Sequence, residues 1–260
     1  METQERILLE DVFGLTLTDV CGGALEKMSP SDKQRYATLK ARLQKGEPVQ
    51  YVTGKAPFCG RFFHVDPGVL IPRPETEELV EKVLAIAAED SYRHHILDIG
   101  TGSGCIAITL ALKGHDVTAW DISNDALRIA RENAEQLGAA VTFEKRDILQ
   151  SQDNMPTGKW DIIVSNPPYI CKKEASEMES NVLDHEPHEA LFVPDEEPLL
   201  FYDAIARYGI GSLKDGGMLA FEINPLYVED LARLLDALGY HDVKVLKDSF
   251  SRERFIICYR

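Results

Sequence analysis

The hydrophobic positions of this 260-residue chain change period along its length. From Ile7 to Leu43 they recur at helical spacing. The clearest helix opens at Ser29-Pro30, where serine can cap and proline suits the first turn. Tyr36, Leu39 and Leu43 then share a face before Gly46 stops it. Pro48 to Gly54, and Pro57 to Arg73 with its Gly60, Pro67, Gly68 and Pro72, read as short strands and turns. From Glu75 onward helical and strand periods alternate. Leu79, Val80, Val83, Leu84 and Ala87 line one helical face, and apolar strands fit 95–99, 117–121, 141–144, 160–165 and 218–223, with helices beginning near Cys105, Asn124, Leu199 and Tyr227. Such alternation predicts an α/β fold around a parallel sheet. Two last strands, 243–246 and 255–259, are joined by a polar connection too short for a crossover helix, so the end of the sheet is expected to be antiparallel. The predicted organisation is a helical domain over 1–50, a linker over 51–74, and an α/β domain over 75–260 built on a mostly parallel seven-stranded sheet.

Charge narrows the partners. Twenty-eight basic against 43 acidic residues give a net charge of -15, which argues against direct nucleic-acid binding, because that affinity comes largely from Lys and Arg displacing counterions. A small molecule or a protein is the better-supported partner. Nine acidic residues fall between Cys171 and Pro198, a stretch without clear apolar period that follows directly on Asn166-Pro167-Pro168-Tyr169; it reads either as a flank of a substrate entrance that orders when a basic protein surface docks or, equally, as a solvated, solubilising loop. No apolar run is long enough to span a membrane, and the start Met1-Glu2-Thr3-Gln4-Glu5-Arg6 has neither secretory nor transit character, so a cytoplasmic protein without membrane contact is expected. Cys21, Cys59, Cys105, Cys171 and Cys258 are scattered and form no C-x-x-C pair, which points to free thiols. His185 and His188 have no defined third ligand, and no metal is expected.

Candidate chemistry begins at Asp98-Ile99-Gly100-Thr101-Gly102-Ser103-Gly104, where a strand gives way to a helix at the carboxyl edge of the sheet. Gly102-x-Gly104-x-x-Ala107 also satisfies the relaxed dinucleotide fingerprint, so a nicotinamide or flavin site and a merely structural turn both compete here. A strand-end carboxylate, Asp98, sits badly beside a pyrophosphate and suits the ammonium of S-adenosylmethionine. Asp121, followed by Ile122, ends the next strand, where a carboxylate can accept from both ribose hydroxyls. Asp147 is a candidate acceptor for an adenine amino group, with a solvated turn aspartate as the equal alternative.

Asn166-Pro167-Pro168-Tyr169 follows the fourth strand of the α/β domain. Its two prolines remove two backbone donors and leave carbonyls free to face a ligand. An amide or adenine amino nitrogen is a poor nucleophile because its lone pair is delocalised. Hydrogen bonds from its two N–H groups to the Asn166 side-chain oxygen and the Pro167 carbonyl would orient it toward an activated methyl, with Tyr169 packed on its flat face. Asn166 therefore stands among both the cofactor and the substrate candidates. Competing readings are an adenine methyltransferase acting on nucleic acid, which uses the same turn, a nucleotide-binding module without catalysis, and a rigid loop after a strand.

With both motifs in hand, and with Gln50-Tyr51-Val52-x-Gly54 and Val69-Leu70-Ile71-Pro72-Arg73-Pro74-Glu75-Thr76-Glu77 beside them, the chain resembles the peptide chain release factor glutamine methyltransferases over almost its whole length. The resemblance implies a class I, Rossmann-like methyltransferase fold with S-adenosylmethionine as donor and S-adenosylhomocysteine as product. It also implies that the small N-terminal helical domain helps recognise the release factor; a monomer is expected. Asp98, Gly100, Asp121 and Asn166 would hold cofactor or substrate, and Pro167 and Tyr169 would shape the pocket for the glutamine of the factor's GGQ loop. Two departures stand out: His185 where the family more usually has tyrosine before Glu-Pro, and Asn224 where glycine usually follows Glu-Ile.

Overall fold

In the computed structural model of the protein, which describes residues 3–89, 92–151 and 157–260, the chain opens with five helices: α1 (Thr3–Phe13), α2 (Leu17–Cys21), α3 (Ala24–Lys27), α4 (Pro30–Gln44) and α5 (Val49–Thr53). The start of α4 is as the sequence predicts, with the Ser29 hydroxyl accepting from the Asp32 amide at 3.0 Å and Pro30 in the first turn. The expectation of a strand over Pro48 to Gly54 is corrected: these residues form α5. Val49 and Val52, three apart, bury one helical stripe, and Gly54 closes the helix in the left-handed conformation at φ +71°. Packing and a glycine stop override the strand preference of Val, Tyr and Thr.

A hairpin follows, β1 (Lys55–Phe58) and β2 (Arg61–His64), turned by Cys59 and Gly60 at φ +47° and +72°. Fully buried Asn133 clamps it: the amide accepts from His64 N at 2.6 Å and donates to His64 O at 3.0 Å and to Ser103 O, in the glycine loop, at 2.9 Å. Val65, Val69 and Ile71 then pack with Tyr51 against Ala126 and Ile129, so the connecting segment has a small core of its own.

The remaining elements are α6 (Pro74–Ala87), β3 (His95–Ile99), α7 (Cys105–Leu112), β4 (Asp116–Asp121), α8 (Asn124–Leu137), β5 (Val141–Lys145), β6 (Trp160–Ser165), β7 (Ile170–Cys171), α9 (Ser180–His185), β8 (Phe192–Val193), α10 (Leu200–Ser212), β9 (Leu213–Glu222), α11 (Val228–Leu238), β10 (His241–Lys247) and β11 (Glu253–Tyr259). Seven strands form one sheet in the order β10-β11-β9-β6-β3-β4-β5, parallel throughout except for β11, which runs antiparallel to both its neighbours. Successive residues of a strand point to opposite faces. Ile96, Val117, Ile162 and Ala220 therefore meet α6 and α7 on one side, while Leu97, Trp120, Ile163 and Phe221 meet α10 and α11 on the other. Burial on both faces is why these strands read as nearly unbroken apolar runs.

The acidic stretch, for which the sequence shows no period, folds as short pieces: β7 and β8 pair in parallel, with α9 between them.

Candidate active site

The order of the sheet reverses between β3 and β6, which makes the crevice beyond their carboxyl ends the expected ligand site. Register sets what emerges there. Ile99 is level with Trp120 on one side and Ser165 on the other, and Ser165 is level with Phe221. One residue further on, Asp121, Gly100, Asn166 and Glu222 leave four adjacent strand ends in a row.

Gly100, Gly102 and Gly104 adopt φ of +76°, +55° and +82°, conformations that L side chains rarely take. A Cβ on either of the first two would meet nothing within 4 Å, so the loop leaves open space above its backbone. Gly104 serves packing, since its Cβ would lie 3.1 Å from Ala130 Cβ and 2.9 Å from Ile108 Cδ1. Asp98 is fully buried beneath the loop. Its Oδ2 accepts from the Thr101 hydroxyl at 2.6 Å, while Oδ1 has no hydrogen-bond partner of normal geometry. Burial pushes its carboxyl up to about 7, against the pull of the Thr101 hydroxyl and the Ala107 amide. A buried acceptor left without a donor fits a cationic ligand group. Asp121 accepts from Gly102 N and Ser123 N, each at 2.9 Å, so it braces the loop as well as facing the crevice. Burial raises its carboxyl, against these amides. Ile122 is exposed beside it. Asp147 closes its own turn by accepting from Leu149 N at 2.9 Å, and the preceding Arg146 amide bonds Asp121 O. These side chains and the open loop suit a nucleoside cofactor bearing an ammonium.

Across the switch point, the Asn166 amide donates to Thr76 Oγ1 at 3.1 Å. Thr76, in the first turn of α6, donates in turn to Glu222 Oε2 at 2.7 Å, and the Tyr169 hydroxyl donates to Glu222 Oε1 at 3.1 Å. Glu222 is buried at the end of β9. Desolvation pushes its carboxyl above the usual carboxylate range, while both hydroxyls and the charge of Arg254 pull it down. Burial likewise raises the Tyr169 phenol, which stays protonated. Asn166, Pro167, Tyr169 and Glu222 line a cleft of about 370 Å³, with Met178, Glu179 and Val182 of the acidic segment forming its rim. That segment is held by Glu186, which is buried, pairs with Arg73 and accepts from Ile71 N at 3.2 Å. Asn224, at the position where the resemblance leads one to expect glycine, donates to Tyr169 O at 3.1 Å and to Glu174. Pro168 is half-buried and is not among the residues lining the cleft.

Sequence reasoning missed Thr76 and Glu222 as site residues. The signal for Glu222 was present: it is an acidic residue closing an apolar strand, the same mark that singled out Asp98 and Asp121. Thr76 carries no comparable mark, since its role depends on α6 being laid across the end of the sheet. Among the described residues, no three His, Cys, Asp or Glu side chains gather as a metal site, and no helix is long and apolar enough to cross a membrane.

Fold and site together define a class I methyltransferase, an enzyme that takes S-adenosylmethionine as methyl donor. Residues 77–189 match the family described as "Methyltransferase small domain", and residues 2–54 match "PrmC N-terminal domain". A release factor glutamine methyltransferase of Bacteroides thetaiotaomicron is 49% identical over 96% of this chain and 89% of its own length. One of Bacillus subtilis is 39% identical over 97% and 88%. The chain belongs to the release factor glutamine methyltransferase family. Among solved structures, a methyltransferase from Pyrococcus furiosus superposes with a TM-score of 0.56 at 18% identity, covering 86% of this chain and 98% of that one, which bears on the fold alone.

Proposed function

We propose that the protein methylates the side-chain amide nitrogen of the glutamine in the GGQ motif of peptide chain release factors, acting in the cytoplasm as a monomer. The observation that carries this reading is the placement of Asn166 and Pro167 at the carboxyl end of β6, in register with the glycine loop on β3 and facing a cleft. Names borne by relatives supply the substrate. S-adenosylmethionine, when bound, supplies a methyl group already activated by its sulfonium. Asp98, with one oxygen unpartnered, would hold the ammonium, Asp121 the ribose hydroxyls and Asp147 the adenine amino group. Gly100, Thr101, Gly102 and Gly104 give a close-approaching backbone, and Ile122 gives an apolar surface. Asn166 Oδ1 and the Pro167 carbonyl accept the two N–H groups of the glutamine amide, Tyr169 packs on its face, and Pro168 stiffens the turn.

This chemistry asks for orientation more than for a base, because the proton becomes acidic once the nitrogen carries the methyl. The N-terminal helices, proposed as a domain over 1–50 joined through 51–74 to the catalytic domain over 75–260, hold the release factor.

The test is single-turnover methyl transfer to a folded release factor, with ribosomal proteins and DNA offered separately and the modified atom located by mass spectrometry. Asn166→Ala should slow transfer by at least about 100-fold with cofactor affinity within a few-fold, and Asn166→Asp should retain more activity because it still accepts N–H bonds. Transfer by the alanine variant within about threefold of the parent would remove Asn166 from the mechanism. A methyl group on any atom other than a glutamine amide nitrogen would remove the proposed substrate.

A further inference from the structure

An asparagine amide has two ends of opposite polarity and nearly identical shape, so a site that uses its oxygen must prevent the amide from turning over. Neither the glycine loop nor the Asn166-Pro167 turn does this. From the chain of bonds behind the turn, we infer that Thr76 and Glu222 are positioning residues that fix the Asn166 oxygen toward the cleft and thereby select an amide substrate over a carboxylate. The inference rests on the reading of Asn166 given above.

The argument is one of donors and acceptors. Glu222 is buried, and its two oxygens each take a hydroxyl, Oε2 from Thr76 at 2.7 Å and Oε1 from Tyr169 at 3.1 Å. The hydroxyl of Thr76 has one proton, and it goes to Glu222. Toward Asn166, 3.1 Å away, Thr76 can therefore only accept, and the Asn166 NH2 must face it. That leaves Oδ1 as the end presented to the cleft, and among the described residues no protein group donates to it. A substrate amide brings N–H groups to that oxygen. A carboxylate brings only lone pairs, and its charge would face both Asn166 Oδ1 and the Pro167 carbonyl. Glu222 also holds the Tyr169 hydroxyl, so it sets the place of Tyr169 directly and that of Asn166 through Thr76, and the Tyr202 hydroxyl anchors its own backbone carbonyl at 3.0 Å.

The chemistry makes directional predictions. Thr76→Val keeps the shape but removes the acceptor for the Asn166 NH2, which frees the amide to turn. Glu222→Gln offers one oxygen and one NH2 where two acceptors stood. If its NH2 faces Thr76, the threonine hydroxyl reverses and donates to Asn166, turning the NH2 into the cleft. Thr76→Ser keeps the hydroxyl and restores the relay.

The experiment compares the parent, Thr76→Val, Thr76→Ser and Glu222→Gln in single-turnover methyl transfer to a purified release factor. Calorimetry on the same preparations measures S-adenosylmethionine binding and the binding of both the natural release factor and one whose GGQ glutamine is replaced by glutamate. Thr76→Val should slow transfer about 10- to 100-fold, the scale of a misoriented contact at the reacting atom, with cofactor affinity within about threefold. Its preference for the glutamine over the glutamate factor should fall about tenfold or more. Thr76→Ser should stay within about threefold of the parent in both respects.

A Thr76→Val enzyme with the parent's rate and the parent's glutamine preference overturns the relay, as does a Thr76→Ser enzyme that fails as badly as Thr76→Val. Should Thr76→Val not fold, Thr76→Ala removes the same acceptor and carries the same readouts, and an unchanged glutamine preference there refutes the idea. A parent enzyme that places no methyl on a glutamine amide sinks the underlying reading instead, so the two failures are told apart.

Discussion

Asp98 is ionised at a cost, and that cost can be measured. Its carboxyl lies fully buried and is raised from 3.8 to about 7, which at roughly 1.4 kcal/mol per pH unit places about 4 kcal/mol against the folded state once the group is charged. The sign is opposite to that of a salt-bridged carboxylate. Between about pH 4 and pH 7 the folded protein holds a proton that the unfolded chain has lost, so stability falls as pH rises through that window and levels off above it.

Asp98→Asn keeps an oxygen for the Thr101 hydroxyl and removes the charge. Without cofactor, this variant should become more stable relative to the parent as pH rises, by about 3 kcal/mol between pH 5 and pH 8. For a domain of this size that is a widening in melting temperature of roughly 5 to 10 °C. Cofactor binding should move the other way. The parent's affinity for S-adenosylmethionine should weaken about tenfold per pH unit below pH 7, as the carboxylate proposed to receive the ammonium is protonated, and the variant should bind poorly at every pH. Scanning calorimetry and isothermal titration across pH 5 to 8 decide both. A melting difference that does not change with pH would refute the buried-charge argument, and a pH-independent parent affinity would refute the role of Asp98 toward the cofactor.

Other expectations follow from the same geometry. Asp121→Ala should weaken S-adenosylmethionine binding by about 1.5 to 3 kcal/mol. It should also lower the melting temperature, because the Gly102 and Ser123 amides lose their acceptor; a folded variant with unchanged affinity would exclude Asp121 from the ribose site. Glu186→Ala should destabilise the protein by about 1 to 3 kcal/mol in denaturant titrations, since the buried Ile71 amide loses its acceptor and Arg73 its partner, and no measurable loss would contradict that role. Association with a release factor, followed by stopped flow, should slow as salt rises and on replacing Glu177 and Glu179 by Gln, because screening weakens steering by the acidic rim. Rates indifferent to both would leave the rim without a docking role. Glu174 is unsuitable for that test, because it accepts from Cys171 N and Asn224 and shapes the loop itself.

Much of this architecture is written in local pattern. The starts of α7 and α8 at Cys105 and Asn124, and the whole of β6, coincide with their sequence-based bounds, because glycine and serine stops flank apolar runs long enough to be read. The glycine loop, Asp98, Asp121 and Asn166 were legible for a related reason: each combines an unusual residue type with a strand end. What escaped depends on distant parts of the chain meeting. Residues 49–53 look extended by composition, and only burial of Val49 and Val52 makes them helical. Thr76 reaches Asn166 across ninety positions and Glu222 across 146, a separation over which no periodicity carries information. Asp147 shows the converse limit, since a side chain legible as an acceptor for a ligand is already closing a turn.

Asn133 is a single amide, yet it holds β2 by both backbone groups of His64 and holds the glycine loop by Ser103 O. The hairpin that leads out of the N-terminal helices is therefore riveted to the floor of the cofactor crevice. If the helices hold a release factor as proposed, its reactive side chain must arrive at one set reach and heading, and a glutamine displaced by a few ångströms would go unmodified.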